Sequence, residues 1–78
     1  MSKEEFVEYV ANDCITHMSI EAKQYFKDNP DASMHHFGYG MYIRNQYLYG
    51  KDLPYLGCQE DDLSHSIIEK IISIINAD

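Results

Sequence analysis

The residues best suited to chemistry lie in one segment of the chain, residues 35–50, which reads HHFGYGMYIRNQYLYG. His36, Arg44 and Asn45 bring an imidazole, a guanidinium and an amide into this segment. Arg44 is the only arginine of the chain, and its planar fork can bind a carboxylate through two hydrogen bonds. The segment therefore has the groups needed to hold a small anion or the carboxylate of a peptide.

Three interpretations of these polar residues are open. In the first they form a structural network, in which Arg44 pairs with Asp61 or Asp62 while His36 and Asn45 cap chain ends or bind loop carbonyls, because buried polar groups are normally hydrogen-bonded. In the second, His36, Arg44 and Asn45 line a ligand pocket together with tyrosine hydroxyls. The third is catalysis, which needs a nucleophile and a base in a geometry that no motif here indicates. The sequence favours the structural network.

The spacing of the other reactive residues argues against a metal, a cofactor and an enzyme. The histidines are His17, His35, His36 and His65. Neighbouring histidines on a helix point about 100° apart, and the chain has no HxxxH or HExxH pattern for zinc. Cys14 and Cys58 lie in no cysteine-enzyme signature, and Gly38 and Gly40 lack the third glycine of a phosphate-binding loop. We expect no bound metal or cofactor and no catalytic residue.

Tyrosine is unusually frequent, with seven residues in 78. Five of them cluster within residues 39–55: Tyr39, Tyr42, Tyr47, Tyr49 and Tyr55. A domain of this size can bury only two or three such rings, because small domains bury a small share of their surface. We therefore predict an exposed aromatic patch near Tyr39, Tyr42 and Tyr49, rimmed by acidic groups. Such patches mark binding sites for partners.

The charge of the chain narrows the choice of partner. The net charge is −7, and the acidic residues concentrate before residue 32 and after residue 56. A surface of this sign repels phosphate backbones, so direct binding of nucleic acid is not expected and a basic protein is the expected partner. The chain shows no signal peptide and no apolar run long enough for a membrane, which predicts a cytoplasmic protein with reduced thiols.

Helical periodicity runs through most of the chain and predicts an all-α fold. Residues 3–17 form an amphipathic helix with Ser2 as N-cap and a stripe of Phe6, Val10, Cys14 and His17. Residues 20–28 form a short second helix, with Ser19 as N-cap and Asn29-Pro30 as its end. No alternating pattern indicates a strand.

The third predicted helix carries two glycines and has apolar residues on several faces. The third runs over 32–49 from a cap at Asp31 or Ser33 to a C-cap at Gly50, and it should be central, packed against the last helix. Met34, Phe37, Met41, Arg44 and Leu48 fall on one of its faces, and a helix that is apolar nearly all round should be buried on more than one side. Gly38 and Gly40 lie about 200° apart around a helix, so they cannot serve one contact. Alternatively, the helix begins at Gly40 and HHFG is a turn.

The last helix is rich in isoleucine. A loop over residues 51–60 leads to a cap at Asp61 or Asp62 and a helix over 62–76, with Leu63, Ile67, Ile71 and Ile74 on one stripe and Ile68, Ile72 and Ile75 on the next. A strand over 71–75 is the alternative, since isoleucine is a middling helix former. The whole predicts one compact domain, residues 1–78, of three to four helices.

The segment resembles a family of small uncharacterised bacterial domains. Their core reads H-F-G-x-G-M-x-I-R-N, matched here from His36 to Asn45, and it is followed by an aromatic stretch and a glycine, matched by YLYG at 47–50. A D-D-[LM]-S element then opens the final helix, matched by DDLS at 61–64. The resemblance covers about residues 19–75. It implies a small, mainly helical domain and carries no activity.

Together these observations predict a non-enzymatic, acidic protein-interaction module. Its binding residues would be Tyr39, Tyr42, Arg44, Asn45 and Tyr49, and an inhibitor or immunity-type regulator of a basic protein is one form of it. A homodimer through the isoleucine-rich last helix is a second form. The alternative is a small-ligand- or metal-binding domain centred on His36, Arg44 and Asn45.

Overall fold

The chain folds into helices that pack around its last one. A computed structural model describes residues 2–35, 37–49 and 60–77, with the backbone alone for Glu60 and Asp61. The α-helices are α1 (Lys3–Thr16), α2 (Ile20–Asp28), α3 (Tyr39–Ile43) and α4 (Glu60–Ile75). A 3-10 turn (Ala32–His35) precedes α3, and a π turn (Arg44–Leu48) follows it. The described ranges contain no strand, which confirms the all-α prediction.

The first two helices begin at the predicted serines. Ser2 Oγ accepts from the backbone N–H of Glu5 at 3.1 Å, and the Glu5 carboxylate accepts from the backbone N–H of Ser2 at 3.1 Å. These hydrogen bonds form a capping box, and the bond from the Ser2 backbone is the main cause that lowers the pKa of Glu5. Ser19 Oγ caps α2 by accepting from Ala22 N–H at 3.1 Å. Asn29 ends α2 ahead of Pro30, as predicted.

The third predicted helix is not continuous, and on this point the prediction was wrong. Asp31 accepts from both the backbone N–H and the hydroxyl of Ser33, at 3.0 and 2.8 Å, and these bonds lower the pKa of Asp31. They close a short 3-10 turn instead of starting a long helix. The chain then turns at residues 37–38, and α3 starts at Tyr39, close to the alternative start at Gly40.

The buried face of this segment also differs from the prediction. Met34, Phe37 and Met41 were expected inside, but all three are exposed. The turn at 37–38 and the π turn break the regular spacing of 3.6 residues per turn on which that prediction depended. The residues of α3 and the π turn that are buried are Gly40, Ile43, Arg44 and Leu48.

Helix α4 is the centre of the fold, a place that the sequence assigned to the third helix. It contacts α1, α2, the 3-10 turn, α3 and the π turn. Its buried residues are Leu63, Ser64, Ile67, Ile68, Ile71, Ile72 and Ile75. They form one core with apolar side chains from α1, α2, the 3-10 turn, α3 and the π turn, and the strand alternative for 71–75 was wrong.

The start of α4 corrects one predicted cap. The helix begins at Glu60, so Asp61 and Asp62 lie in its first turn and do not precede it. The positive end of the helix still favours acidic residues there. The predicted C-cap Gly50, the loop at 51–59, Tyr55 and Cys58 lie outside the described residues. In the described ranges, no helix combines the length and apolarity needed to cross a membrane.

Gly40 lies where α3 approaches α4 most closely. A Cβ atom at this position would stand 3.1 Å from the His35 carbonyl oxygen and 3.3 Å from Ile68 Cδ1. A Cβ on Gly38 would meet nothing within 4 Å. The two glycines therefore have different surroundings, because Gly38 lies in the turn before α3, and Gly40 is the one that admits the neighbouring helix.

Candidate functional site

Arg44 is an internal residue of the fold. Its side chain is 4% exposed, and Nη1 donates to the hydroxyl of Ser64, a fully buried residue of α4, at 3.0 Å. Both residues have further interactions beyond this bond. The arginine thus ties the π turn to α4, which is the kind of role that the structural-network interpretation gives it. Of its two predicted partners, Asp62 is exposed, and the side chain of Asp61 lies outside the described residues, as does His36.

The other predicted binding residues divide between surface and core. Tyr42, Asn45 and Tyr49 are exposed, and Tyr39 is half-buried against the core. Arg44 therefore does not share the surface on which its neighbour Asn45 lies. A binding surface built from the predicted residues has to consist mainly of the tyrosines.

A row of aromatic rings connects α2, the 3-10 turn and α3. His35 stacks on Phe26 with ring centroids 4.3 Å apart, and Tyr25 meets the His35 ring edge-on at 5.3 Å. On the other side of Phe26, Tyr39 lies edge-on at 5.3 Å, and Tyr42 lies 5.0 Å from Tyr39. Edge-on and tilted contacts at these distances stabilise the row. Its two ends, Tyr25 and Tyr42, are exposed by 53% and 42%.

His35 holds the middle of this row. Its ring is 2% exposed, and Nε2 lies 2.9 Å from the backbone carbonyl oxygen of Asn29, to which it donates. This contact fixes the 3-10 turn against the end of α2. No specific role was predicted for His35, and in the structure it supports the aromatic row.

A groove of about 400 Å³ lies along the row. Its lining residues are Glu21, Ala22, Tyr25, Phe26, Met34, His35, Gly38 and Tyr39. Most of them are apolar, and Glu21 is the one carboxylate among them. We call the exposed side chains Tyr25, Met34 and Tyr42, together with this groove and Tyr39, the aromatic face.

A polar cluster joins α1 to α3 and the π turn. The hydroxyl of Tyr47 donates to Asp13 Oδ2 at 2.6 Å. Burial is the main cause that raises the pKa values of Cys14, Tyr39 and Tyr47, and the hydrogen bond to Asp13 adds to the effect on Tyr47. A thiol held in its protonated form is a poor nucleophile, so this cluster is suited to packing and not to cysteine chemistry.

No described residues form a metal site. Within the described ranges, no group of three His, Cys, Asp or Glu side chains is placed to hold an ion. His17 contacts the Asp13 backbone at 2.8 Å, and His65 lies 3.6 Å from Glu69 on the same helix. Each of these contacts is local to one helix.

Sequence reasoning missed half of the aromatic face. Neither Tyr25 nor Met34 was among the predicted binding residues. The signal that could have found them is the combination of Asp31 and Ser33, which indicates a local turn as well as a helix cap. A turn there separates Met34 from the helical register of α3.

Comparisons of this chain with protein-family models, with curated proteins and with solved structures found no match. The resemblance to the bacterial domain family therefore stays a prediction from its motif. Function has to be argued from the surface of the chain itself.

Proposed function

We propose that this chain is a non-enzymatic protein-interaction module that binds a basic protein through the aromatic face, in the cytoplasm. An inhibitor or immunity-type regulator is the form of this function that fits a small acidic domain. The observation that carries the proposal is the exposure of Tyr25 and Tyr42 at the two ends of a row of packed rings.

The chemistry of the aromatic face supports this proposal. Tyrosine is enriched at interfaces because its ring offers a large apolar area and its hydroxyl tolerates water. His35 and Phe26 pack beneath the exposed rings, so Tyr25 and Tyr39 lose little freedom when a partner binds. A pre-organised surface of this kind suits a protein partner.

The charge of the chain supports a basic partner. Glu21 is the only charged side chain that lines the groove, and the chain as a whole carries a net charge of −7. A basic partner would be attracted to the surface before contact, and a lysine or arginine next to an apolar anchor could pair with Glu21.

The alternative, a ligand or metal site centred on His36, Arg44 and Asn45, has less support. Arg44 is buried in its contact with Ser64, whereas Asn45 faces solvent. A ligand that touched both would have to displace packed side chains. The protein-interaction proposal needs no such rearrangement.

Photo-crosslinking in the source cells tests the proposal. A photoreactive phenylalanine analogue replaces Tyr42 in one variant and Glu4, an exposed residue of α1, in the control. We expect one basic protein to be crosslinked at position 42 and not at position 4, with mass spectrometry identifying the partner. An acidic partner, or equal crosslinking at both positions, would contradict the proposal.

Affinity measurements with the purified partner sharpen this test. We expect Tyr42→Ala and Tyr25→Ala to weaken binding by about tenfold or more, as for aromatic anchors in other interfaces. Tyr9→Ala should leave the affinity unchanged. All three variants should keep the wild-type melting temperature within a few degrees, since the three rings are exposed. Tyr39 is not used, because its ring packs against the core.

A further inference from the structure

A second groove lies on the opposite flank of α2, and its chemistry differs from that of the aromatic face. It has a volume of about 310 Å³, and its lining residues are Ile15, Ile20, Lys23, Gln24, Lys27, Ile74 and Ile75. We call it the isoleucine–lysine groove. Ile20 is 83% exposed, more than any other large apolar side chain in the described residues. The aromatic face does not use this groove, and its exposed isoleucine has no role in the core.

The groove is a basic site on an acidic chain. Lys23 and Lys27 line it, and no acidic side chain is among its described lining residues. One lining residue, Gln24, donates from its side-chain amide to the Asp28 carboxylate at 3.0 Å. Two lysines against one carboxylate leave a local positive charge, so the surface that fits this groove is apolar and acidic.

The outer side of α1 has that complementary chemistry. A shallow groove of about 520 Å³ runs along it, lined by Glu5, Glu8, Tyr9, Asn12, Asp13 and Thr16. Tyr9 is 58% exposed in the middle of this acidic surface. The two surfaces are neighbours, because Ile15 lines the first and Thr16 lines the second.

We propose that a second copy of this chain occupies the isoleucine–lysine groove with the acidic side of its α1. Tyr9 of each copy would lie against Ile20 of the other, and Glu8 would pair with Lys27. Because the two surfaces adjoin on α1, one two-fold axis can form both contacts at once. Closed two-fold dimers of this kind are the commonest oligomers.

The net charge of −7 on each copy does not prevent this contact at physiological salt. The Debye length is about 8 Å at 0.15 M, so charges on the far sides of the two copies are screened. Charges in direct contact at the interface are screened much less. The local pairing of lysine with glutamate therefore outweighs the repulsion between distant carboxylates.

This dimer differs from one through the isoleucine stripe of α4. Ile67, Ile68 and Ile71 are buried in the core of their own chain and offer no surface to a second copy. Of the isoleucines of α4, Ile74 is the half-exposed one, and it lines the proposed interface. The end of α4 takes part, and its middle does not.

Charge reversal at two positions tests the proposal, with the mass of the wild-type protein measured by light scattering over a range of concentrations. We expect a monomer–dimer equilibrium in the wild type. Lys27→Glu alone and Glu8→Lys alone should each raise the dimer dissociation constant about tenfold or more. The double variant should recover the dimer because both pairs are restored with their charges exchanged. A mixture of the two single variants should also recover it, because the mixed dimer has one pair in the original sense and one with exchanged charges.

Circular dichroism separates loss of the dimer from loss of the fold. Lys27→Gln is the milder variant to use if Lys27→Glu melts early, since Lys27 also lies favourably in the last turn of α2. A wild type that stays monomeric at every concentration would overturn the proposal. So would a dimer that Lys27→Glu or Lys27→Gln leaves unchanged, or one that the mixture of Lys27→Glu and Glu8→Lys does not restore.

Discussion

Helix α4 and the segment 39–48 both touch the core, but they use their apolar residues in opposite ways. In α4, six of the leucine and isoleucine side chains are buried, and the helix is regular over its 16 residues. In the segment 39–48, Met41 and Tyr42 face solvent, while the only arginine is buried. The segment changes from α3 to the π turn halfway along its length.

Helix α4 mainly stabilises the fold, whereas the segment 39–48 also presents large side chains to solvent. Helix α4 supplies more of the core than any other element, because its apolar stripes face neighbours on several sides. The segment 39–48 contributes Ile43 and Leu48 to that core, packs Tyr39 and Tyr47 against it, and leaves Met41 and Tyr42 exposed. A surface that keeps methionine and tyrosine exposed next to a rigid core is typical of a binding site.

The largest expected effect is at Ile71, which is fully buried in α4. Ile71→Ala should lower the free energy of unfolding by about 2–5 kcal/mol, because it removes buried apolar area and leaves a cavity. Urea denaturation measures the change. Should the variant fail to fold, Ile71→Val gives a smaller loss of about 0.5–1.5 kcal/mol.

The matched change in the other region is Met41→Ala. Met41 is exposed, so the loss should stay within about 0.5 kcal/mol. Equal losses at Ile71 and Met41 would mean that the segment 39–48 is as much part of the core as α4, and the comparison would fail.

The next effect separates two neighbours, Arg44 and Asn45. Arg44→Ala removes the donor from a buried serine and should lower the free energy of unfolding by about 2–4 kcal/mol. Asn45→Ala should cost about 0.5 kcal/mol or less, because Asn45 is exposed. Thermal and urea unfolding of both variants measure the difference. Arg44→Lys should restore only part of the loss, since lysine lacks the planar fork.

A smaller effect is expected at the two glycines. Gly40→Ala gains about 1 kcal/mol of helix propensity, but its Cβ would press on the His35 carbonyl and on Ile68. Overpacking costs about 1–3 kcal/mol, so we expect a net loss of about 1 kcal/mol. Gly38→Ala, with open space around the new Cβ, should be nearly neutral. A stabilised Gly40→Ala variant would show that α3 and α4 can move apart.

The smallest effect at neutral pH concerns Tyr47, which hydrogen-bonds Asp13 on α1. The folded state raises the pKa of Tyr47 above its unfolded value of about 10, mainly through burial. Its stabilising contribution is therefore fully present below about pH 10 and is lost as the pH rises through the folded pKa. Urea unfolding between pH 7 and about pH 11 should show this decline.

Tyr47→Phe should make the decline shallower, because the ionisable hydroxyl is gone. The raised pKa values of Tyr39 and Cys14 act in the same direction and leave part of the decline in place. Tyr9→Phe, at an exposed tyrosine of α1, should keep the wild-type curve. If the Tyr47→Phe curve were identical to that of the wild type, ionisation of Tyr47 would not be a cause of the stability lost at alkaline pH.

The regular helices could be predicted from the sequence because their signals are local. Ser2 and Ser19 cap as expected, Asn29 ends α2, and the isoleucine spacing gives the buried stripes of α4. The segment after Pro30 could not be predicted in the same way. Its apolar residues surround the chain on every side, so their pattern does not indicate which side faces inward.

The candidate site was predicted in part for the same reason. An exposed Tyr42 and Tyr49 and a half-buried Tyr39 follow from having more tyrosines than a small core can accept. The exposure of Met34 depends on the turn at Asp31, and the burial of Arg44 on the close approach of α3 to α4 at Gly40. The first is a local side-chain turn and the second is a tertiary contact, and spacing along one helix encodes neither.

The π turn has a consequence for how this chain can change in length. It closes with a bond from Tyr49 N–H to the Arg44 carbonyl at 2.7 Å, which spans one residue more than an α-helical bond. Deleting Asn45 or Gln46 would let the backbone return to the tighter winding. The same donor and acceptor would then form an ordinary α-helical bond, so the side chains after the deletion, the leucine at the end of the turn among them, would keep their direction toward the interior. Variants one residue shorter here should therefore be tolerated better than variants shortened within a regular helix such as α4.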